Sequence, residues 1–131
     1  MIECLILGDS IAVGTHMARP ECVAYAKRGW NSWQWNRDYL KNDLTANSVI
    51  ISLGSNDHKG VKTREELLKM RTKVKASRVF WILPAIKPEI QDIVREIAEQ
   101  YGDTVVPIIK TQPDGVHPSW TGYRDIVEKT R

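Results

Sequence analysis

Apolar and polar positions alternate along the chain in two different rhythms. Short, nearly continuous apolar runs occur at Ile2–Leu7, Cys22–Ala26, Ser48–Leu53, Arg78–Leu83 and Thr104–Ile109, and most are rich in branched residues. Runs of this length read as strands buried on both faces. Between them the apolar residues recur at helical spacing. Ile90, Ile93, Val94, Ile97, Ala98 and Tyr101 fall at i, i+3, i+4, i+7, i+8 and i+11, with Pro88 suited to the first turn and Gly102 to the C-terminal stop. Thr63-Arg64-Glu65-Glu66 has the form of a capping box opening another helix. A last helix is expected from about Pro118 onward, with Trp120, Tyr123, Ile126 and Val127 on its inner face.

Strands alternating with helices are the pattern of a parallel sheet with right-handed crossovers. The fold expected is α/β: a three-layer α/β/α sandwich on a five-stranded parallel sheet of flavodoxin-like order 2-1-3-4-5. At 131 residues the chain is read as a single domain over 1–131, with no linker or repeat. Such a sheet binds ligands beyond the carboxyl ends of its strands, at the switch point between the first and third.

Polar fragments sit at those ends. Gly8-Asp9-Ser10 follows the first run, where a strand stops and a helix begins, so the Ser10 hydroxyl projects past the sheet edge beside the free N–H groups of a helix start. Arg28-Gly29-Trp30-Asn31-Ser32 follows the second run, Leu53-Gly54-Ser55-Asn56-Asp57 the third, and Asp114-Gly115-Val116-His117-Pro118-Ser119 the fifth. Together these blocks resemble the SGNH (GDSL-type) hydrolase family, over essentially the whole chain. The resemblance implies a serine esterase in which Ser10 is the nucleophile, His117 the general base and Asp114 its orienting partner. The Ser10 N–H, the Gly29 N–H and the Asn56 amide would form the oxyanion hole. The link from strand five must reach about 14 Å across the sheet, and eight Cα steps from Ile109 to His117 extend roughly 26–29 Å.

Each residue also has a plainer reading. Gly29 suits a turn of positive φ, Asn56 an Asx turn and Asp114 a helix cap. Asp9 and Asp57 are read as acceptors that brace loops. Trp30, next to Gly29, is the first choice for a wall of the substrate pocket, and His58 is a second candidate to line it. Trp33 and Trp35 fall in the helix after Gly29, and His16 in the helix after Ser10, as packing or surface residues. No HxxH, HExxH or Cys/His cluster is written in the chain, so neither a metal nor another cofactor is expected.

Composition narrows the classes. Hydrophobic content of 42% and charged content of 27% suit a globular protein, and no apolar run approaches the ~20 residues of a membrane span. The first apolar run opens at Ile2 with no basic leader before it, so a cytoplasmic location is expected. The net charge of +3 is small, but residues 59–78 carry Lys59, Lys62, Arg64, Lys69, Arg71, Lys73, Lys75 and Arg78 against Glu65 and Glu66. A solvated helix face is expected there; without interleaved aromatics it is not a nucleic-acid platform. Cys4 and Cys22 are expected as buried structural thiols rather than a disulfide or metal site. Segments between the blocks are short compared with the family's usual insertions. A shallow site follows, suited to short acyl groups, acetyl above all, on larger molecules such as carbohydrates. The competing classes are a silent binding or adaptor module on the same fold, a lipase or thioesterase for longer acyl chains, and a nucleotide-binding domain. The last lacks a phosphate-cradling glycine motif.

Overall fold

Each apolar run becomes a strand whose alternate residues face opposite helical layers. The computed structural model describes residues 2–131 and carries β1 (Cys4–Gly8), β2 (Val23–Ala26), β3 (Ser48–Ser52), β4 (Arg78–Ile82) and β5 (Thr104–Val106). They form one parallel sheet in the order β2-β1-β3-β4-β5. Leu5 and Leu7 of β1, Val49 and Ile51 of β3, and Trp81 of β4 point to one face. There they meet Trp35 of α2 (Ser32–Tyr39), Leu67 and Met70 of α3 (Thr63–Lys73), and Val94 and Ile97 of α4 (Pro88–Tyr101). Cys4, Ile6, Ile50, Phe80 and Ile82 point the other way, against Ile11 of α1 (Ser10–Ala18) and Tyr123 and Ile126 of α5 (Trp120–Lys129). Period-two geometry thus divides continuous apolar runs between two cores. None of the described helices is long and apolar enough to cross a membrane.

The α4 pattern forms as expected, with Pro88 in its first turn and Gly102 left-handed at its end. β5 stops at Val106 because Pro107 follows and has no N–H for the ladder. Three expectations need correction. Cys4 and Cys22 form a disulfide, with Cα atoms 4.9 Å apart. Leu5 pairs with Val23, so the preceding residues Cys4 and Cys22 stand opposite each other across neighbouring strands. An 18-residue separation hides that register from any spacing motif. The Thr63 capping box does not form: Lys62 occupies the cap position, and the Thr63 hydroxyl donates to Asp57 instead, at 2.8 Å. A true capping box opens α2, where Asn31 and Gln34 exchange hydrogen bonds of 2.9 Å. Trp120 is 63% exposed, because it forms the first turn of α5 at the rim of the sheet, while Tyr123, Ile126 and Val127 are buried.

Much of the basic run is partnered within the fold. Arg71 forks Asp103 at 2.7 and 2.9 Å, and the Trp81 indole N–H donates to the same carboxylate. Arg64 pairs with Glu96, Lys69 with Glu66, and the Lys73 ammonium donates to the Leu40 carbonyl.

Candidate active site

The turn after β1 is set by close approach of two backbones. A Cβ on Gly8 would lie 1.8 Å from the Ser52 carbonyl oxygen, and the residue has φ +144°, so only glycine lets β1 run so near β3. The Asp9 N–H then donates to that carbonyl at 3.0 Å. Asp9 caps α1, accepting from the Ile11 N–H at 3.0 Å and from the Ser52 hydroxyl at 3.2 Å. It is fully buried, and its second carboxyl oxygen has no partner among the described residues. Burial pushes this carboxyl up to about 6. Ser10 is the first residue of α1, where a helix N–H lacks an intrahelical acceptor.

The segment between β5 and α5 folds back as a small hairpin. Ser119 N–H donates to Lys110 at 2.9 Å, Gln112 N–H to His117 at 2.8 Å and Gly115 N–H to Gln112 at 2.9 Å. At its tip the Asp114 carboxylate accepts from the Val116 and His117 backbone N–H groups at 2.9 and 3.0 Å, and its other oxygen meets His117 Nδ1 at 2.7 Å. His117 Nε2 lies 2.7 Å from Ser10 Oγ. The Val116 N–H, followed by the imidazole and the His117 N–H, holds the Asp114 carboxyl down at about 2. With Asp114 ionised, Nδ1 is the donor and Nε2 is left to accept from the serine hydroxyl. The hairpin therefore spans the distance from β5 back to β1, and one turn delivers both base and orienter.

On the other side of Ser10, the turn from Lys27 to Trp30 is closed by a Trp30 N–H to Lys27 bond of 3.4 Å, with Gly29 at φ +78°. The Lys27 N–H donates to Gly8 at 3.0 Å, which ties this turn to the end of β1. Among the described residues neither the Gly29 nor the Ser10 N–H donates to a protein acceptor. The Asn56 amide donates one hydrogen to the Trp30 carbonyl at 3.0 Å, keeping the second for another acceptor. Behind Asn56, the buried Asp57 carboxylate accepts from the Ser32 N–H at 2.8 Å, the Ser32 hydroxyl at 2.6 Å and the Thr63 hydroxyl at 2.8 Å. Lys87 completes the brace: its ammonium donates to the Ser55 and Asp57 carbonyls at 2.8 and 2.7 Å, one on each side of Asn56. Lys87 holds a left-handed φ of +65°, uncommon for a side-chain residue. Nothing in the sequence around Lys87 signals this role.

The site opens into a cleft of about 350 Å³ lined by Gly14, Met17, Arg28, Gln112, His117 and Tyr123. Trp30 and His58 are not among its walls. The Trp30 ring packs 5.8 Å from Tyr39, with Lys27 and Arg37 over it, and lines a separate cavity at the edge near β2. His58 accepts from the Gly60 N–H at 3.2 Å and shares a cavity of about 590 Å³ with Trp33. Among the described residues no group of three or more His, Cys, Asp or Glu is placed to hold a metal.

No family model matches the chain, and no curated protein matches it in sequence. Its backbone is similar to the crystal structure of a "putative acylhydrolase" from Bacteroides fragilis NCTC 9343. The TM-score is 0.68 at 18% identity, over 96% of this chain and 83% of that one. The two share a fold. At that identity the likeness covers the sheet order and its layers, and the chemistry of this chain rests on its own residues.

Proposed function

We propose that this protein is a serine hydrolase of the SGNH type that cleaves short-chain acyl esters, acetyl esters of carbohydrates being the foremost class, by chemistry that needs no metal. One observation carries the reading: the unbroken relay Ser10 Oγ, His117 Nε2, His117 Nδ1, Asp114 Oδ2, with both links at 2.7 Å. The shared fold with a protein described as an acylhydrolase supports it. Ser10 Oγ attacks the carbonyl carbon as its proton passes to His117 Nε2. The oxyanion is received by the Ser10 and Gly29 N–H groups and the free Asn56 amide hydrogen. Collapse breaks the bond to the alcohol, whose oxygen takes the proton from His117. Water then gives a proton to His117 and attacks the acyl-serine; release of the acid returns the proton to Ser10. Asp114 stays ionised throughout and holds the imidazole. The Cys4–Cys22 bond favours an oxidising compartment for this activity over the cytoplasmic one expected from sequence.

A serine-directed phosphonate should label the wild type and not Ser10→Ala, and short-chain chromogenic esters should be hydrolysed with rates that fall as the acyl chain lengthens from acetyl to palmitoyl. Absence of both labelling and turnover at high protein concentration would turn the reading to a silent binding module. Rates climbing toward octanoyl or palmitoyl would turn it to a lipase or thioesterase.

A further inference from the structure

Two hydrogen-bond donors in the cleft beside His117 have no task inside the protein. The Arg28 guanidinium makes no ion pair among the described residues, and the one hydrogen bond it makes there is a long one to the Met17 sulfur at 3.9 Å. The Tyr123 hydroxyl makes no hydrogen bond with any described group. Its placement is nevertheless built into the fold. A Cβ on Gly14 would lie 2.2 Å from the ring carbon that bears this hydroxyl and 2.4 Å from the oxygen itself, so α1 carries a mid-helix glycine where the phenol head sinks against it. Glycine is an unfavourable helix residue, and here it opens the floor of the cleft. Burial, together with the charge of Asp9, raises the Tyr123 pKa, against the opposing field of Arg28, so the hydroxyl keeps its proton at neutral pH.

We propose that this cleft selects substrates whose leaving alcohol carries an anionic group, held by the Arg28 guanidinium and the Tyr123 hydroxyl. The leaving alcohol is supplied by the hydrolase reading, on which this inference rests. His117 must protonate the departing oxygen, so the leaving group lies against the imidazole, and the imidazole lines this cleft while Asn56 does not. Met17, 67% exposed, offers an apolar wall for the carbon skeleton between ester and anion. Asp114, the anionic side chain beside His117, has both oxygens engaged by the imidazole and by two backbone N–H groups. A fixed donor and a guanidinium on one side of a short cleft match a carboxylate, phosphate or sulfate within a few bonds of the ester.

The test compares phenyl acetate, 3-acetoxybenzoate, with its anion on the leaving group, and the monophenyl ester of succinic acid, with its anion on the acyl group. Each rate is divided by that ester's alkaline hydrolysis rate. In the wild type, kcat/KM for 3-acetoxybenzoate should exceed that for phenyl acetate by about tenfold, a ratio that shrinks as salt is raised. Arg28→Gln should bring the ratio near one, and Arg28→Lys should retain part of it. A wild-type ratio of one, a ratio indifferent to Arg28→Gln, or a preference for the succinate ester would overturn the proposal. Binding separates this inference from the hydrolase reading. Ser10→Ala titrated with 3-hydroxybenzoate should shift the NMR signals of Arg28 and Tyr123, and phenol should not. If that binding is present and no ester is turned over, the anion site stands and the hydrolase reading falls. If esters are turned over with a flat ratio, the reverse holds.

Discussion

The two sides of Ser10 are held in place by different means. On the Asn56 side, the buried Asp57 collects three hydrogen bonds from α2 and α3, and Lys87 reaches across from the start of α4 to fasten the same loop. On the His117 side, an exposed hairpin holds itself, with side-chain exposures of 35% for His117 and 44% for Asp114. Donors that meet a developing charge act best when they are fixed beforehand, because they then need no reorganisation as the charge forms. A base is positioned by a single strong partner, and Asp114 supplies that partner locally. In the proposed mechanism, oxyanion binding would draw on three helices, whereas acid–base chemistry would draw on one ten-residue turn and the nucleophile it meets.

The largest expected effects cut the relay itself. Ser10→Ala and His117→Ala should each lower kcat by about 10⁴–10⁶, and the double variant should lose no more than the worse single one, since the pair acts as a unit. Asp114→Asn should lower kcat by up to about 10⁴ while leaving the thermal midpoint near that of the wild type, because the carboxylate is exposed. Ester turnover and unfolding followed on the same samples check both. Additive losses would break the pairing of serine and base. A large drop in stability for Asp114→Asn would show that the hairpin is held more deeply than its exposure indicates.

On the braced side, Asn56→Ala should lower kcat by about 10²–10³ with little change in KM, as in the proposed mechanism the amide meets charge that exists only in the transition state. Steady-state kinetics decide between this and a binding role. An effect mainly on KM would recast Asn56 as a ground-state contact, and the contrast between the two sides would lose its catalytic meaning.

The hairpin side was the more legible in sequence. Asp114, Gly115 and His117 lie within four residues, and a turn of that length forces them together. The sheet order was equally open to reading, because period-two runs and crossover helices leave few topologies. The parts that stayed hidden depend on register or on distant chain. Cys4 and Cys22 meet only because β1 and β2 pair with no offset. Thr63 looks like a cap in isolation, yet Asp57, six residues earlier, takes its hydroxyl. Adjacency to Gly29 suggests a pocket wall for Trp30, but in a turn the next side chain can face the other way, and its ring joins Tyr39 instead. Lys87 carries no local mark at all.

Titration separates two carboxylates of the site in opposite senses. Asp9 has its folded pKa raised to about 6 from 3.8, so the folded state binds its proton more tightly than the unfolded chain. Its contribution is present at low pH and is lost as pH rises from about 4 to about 6, a change of roughly 3 kcal/mol at most. Asp114 is held down at about 2, so its contribution is present above the ordinary carboxylate range and is lost as pH falls toward 2; solvent screens this exposed pair and keeps the contribution small. Urea unfolding of wild type and Asp9→Asn across pH 4 to 7 should show the wild type losing stability relative to the variant through that window. Parallel profiles would mean that Asp9 titrates normally and that its burial is compensated.

The smallest expected effect probes the brace at its far end. Lys87 touches none of the reacting groups, so it is a positioning residue, and its action must pass through the Ser55 and Asp57 carbonyls that flank Asn56. Removing the ammonium with Lys87→Met should free that loop and lower kcat by about tenfold, because modest misplacement of a fixed donor weakens it most in the transition state, while KM stays near its wild-type value. Two further variants separate the contact from the backbone. Lys87→Gly also removes the ammonium but relieves the left-handed φ of +65°, so it should match Lys87→Met in kcat while melting at a higher temperature. In an Asn56→Ala background, Lys87→Met should lower kcat by less than about twofold, since the donor it positions is already gone. A full tenfold loss in that background would mean that Lys87 acts on the site by another route. The braced side would then be a stable scaffold whose order is unconnected to the charge it faces.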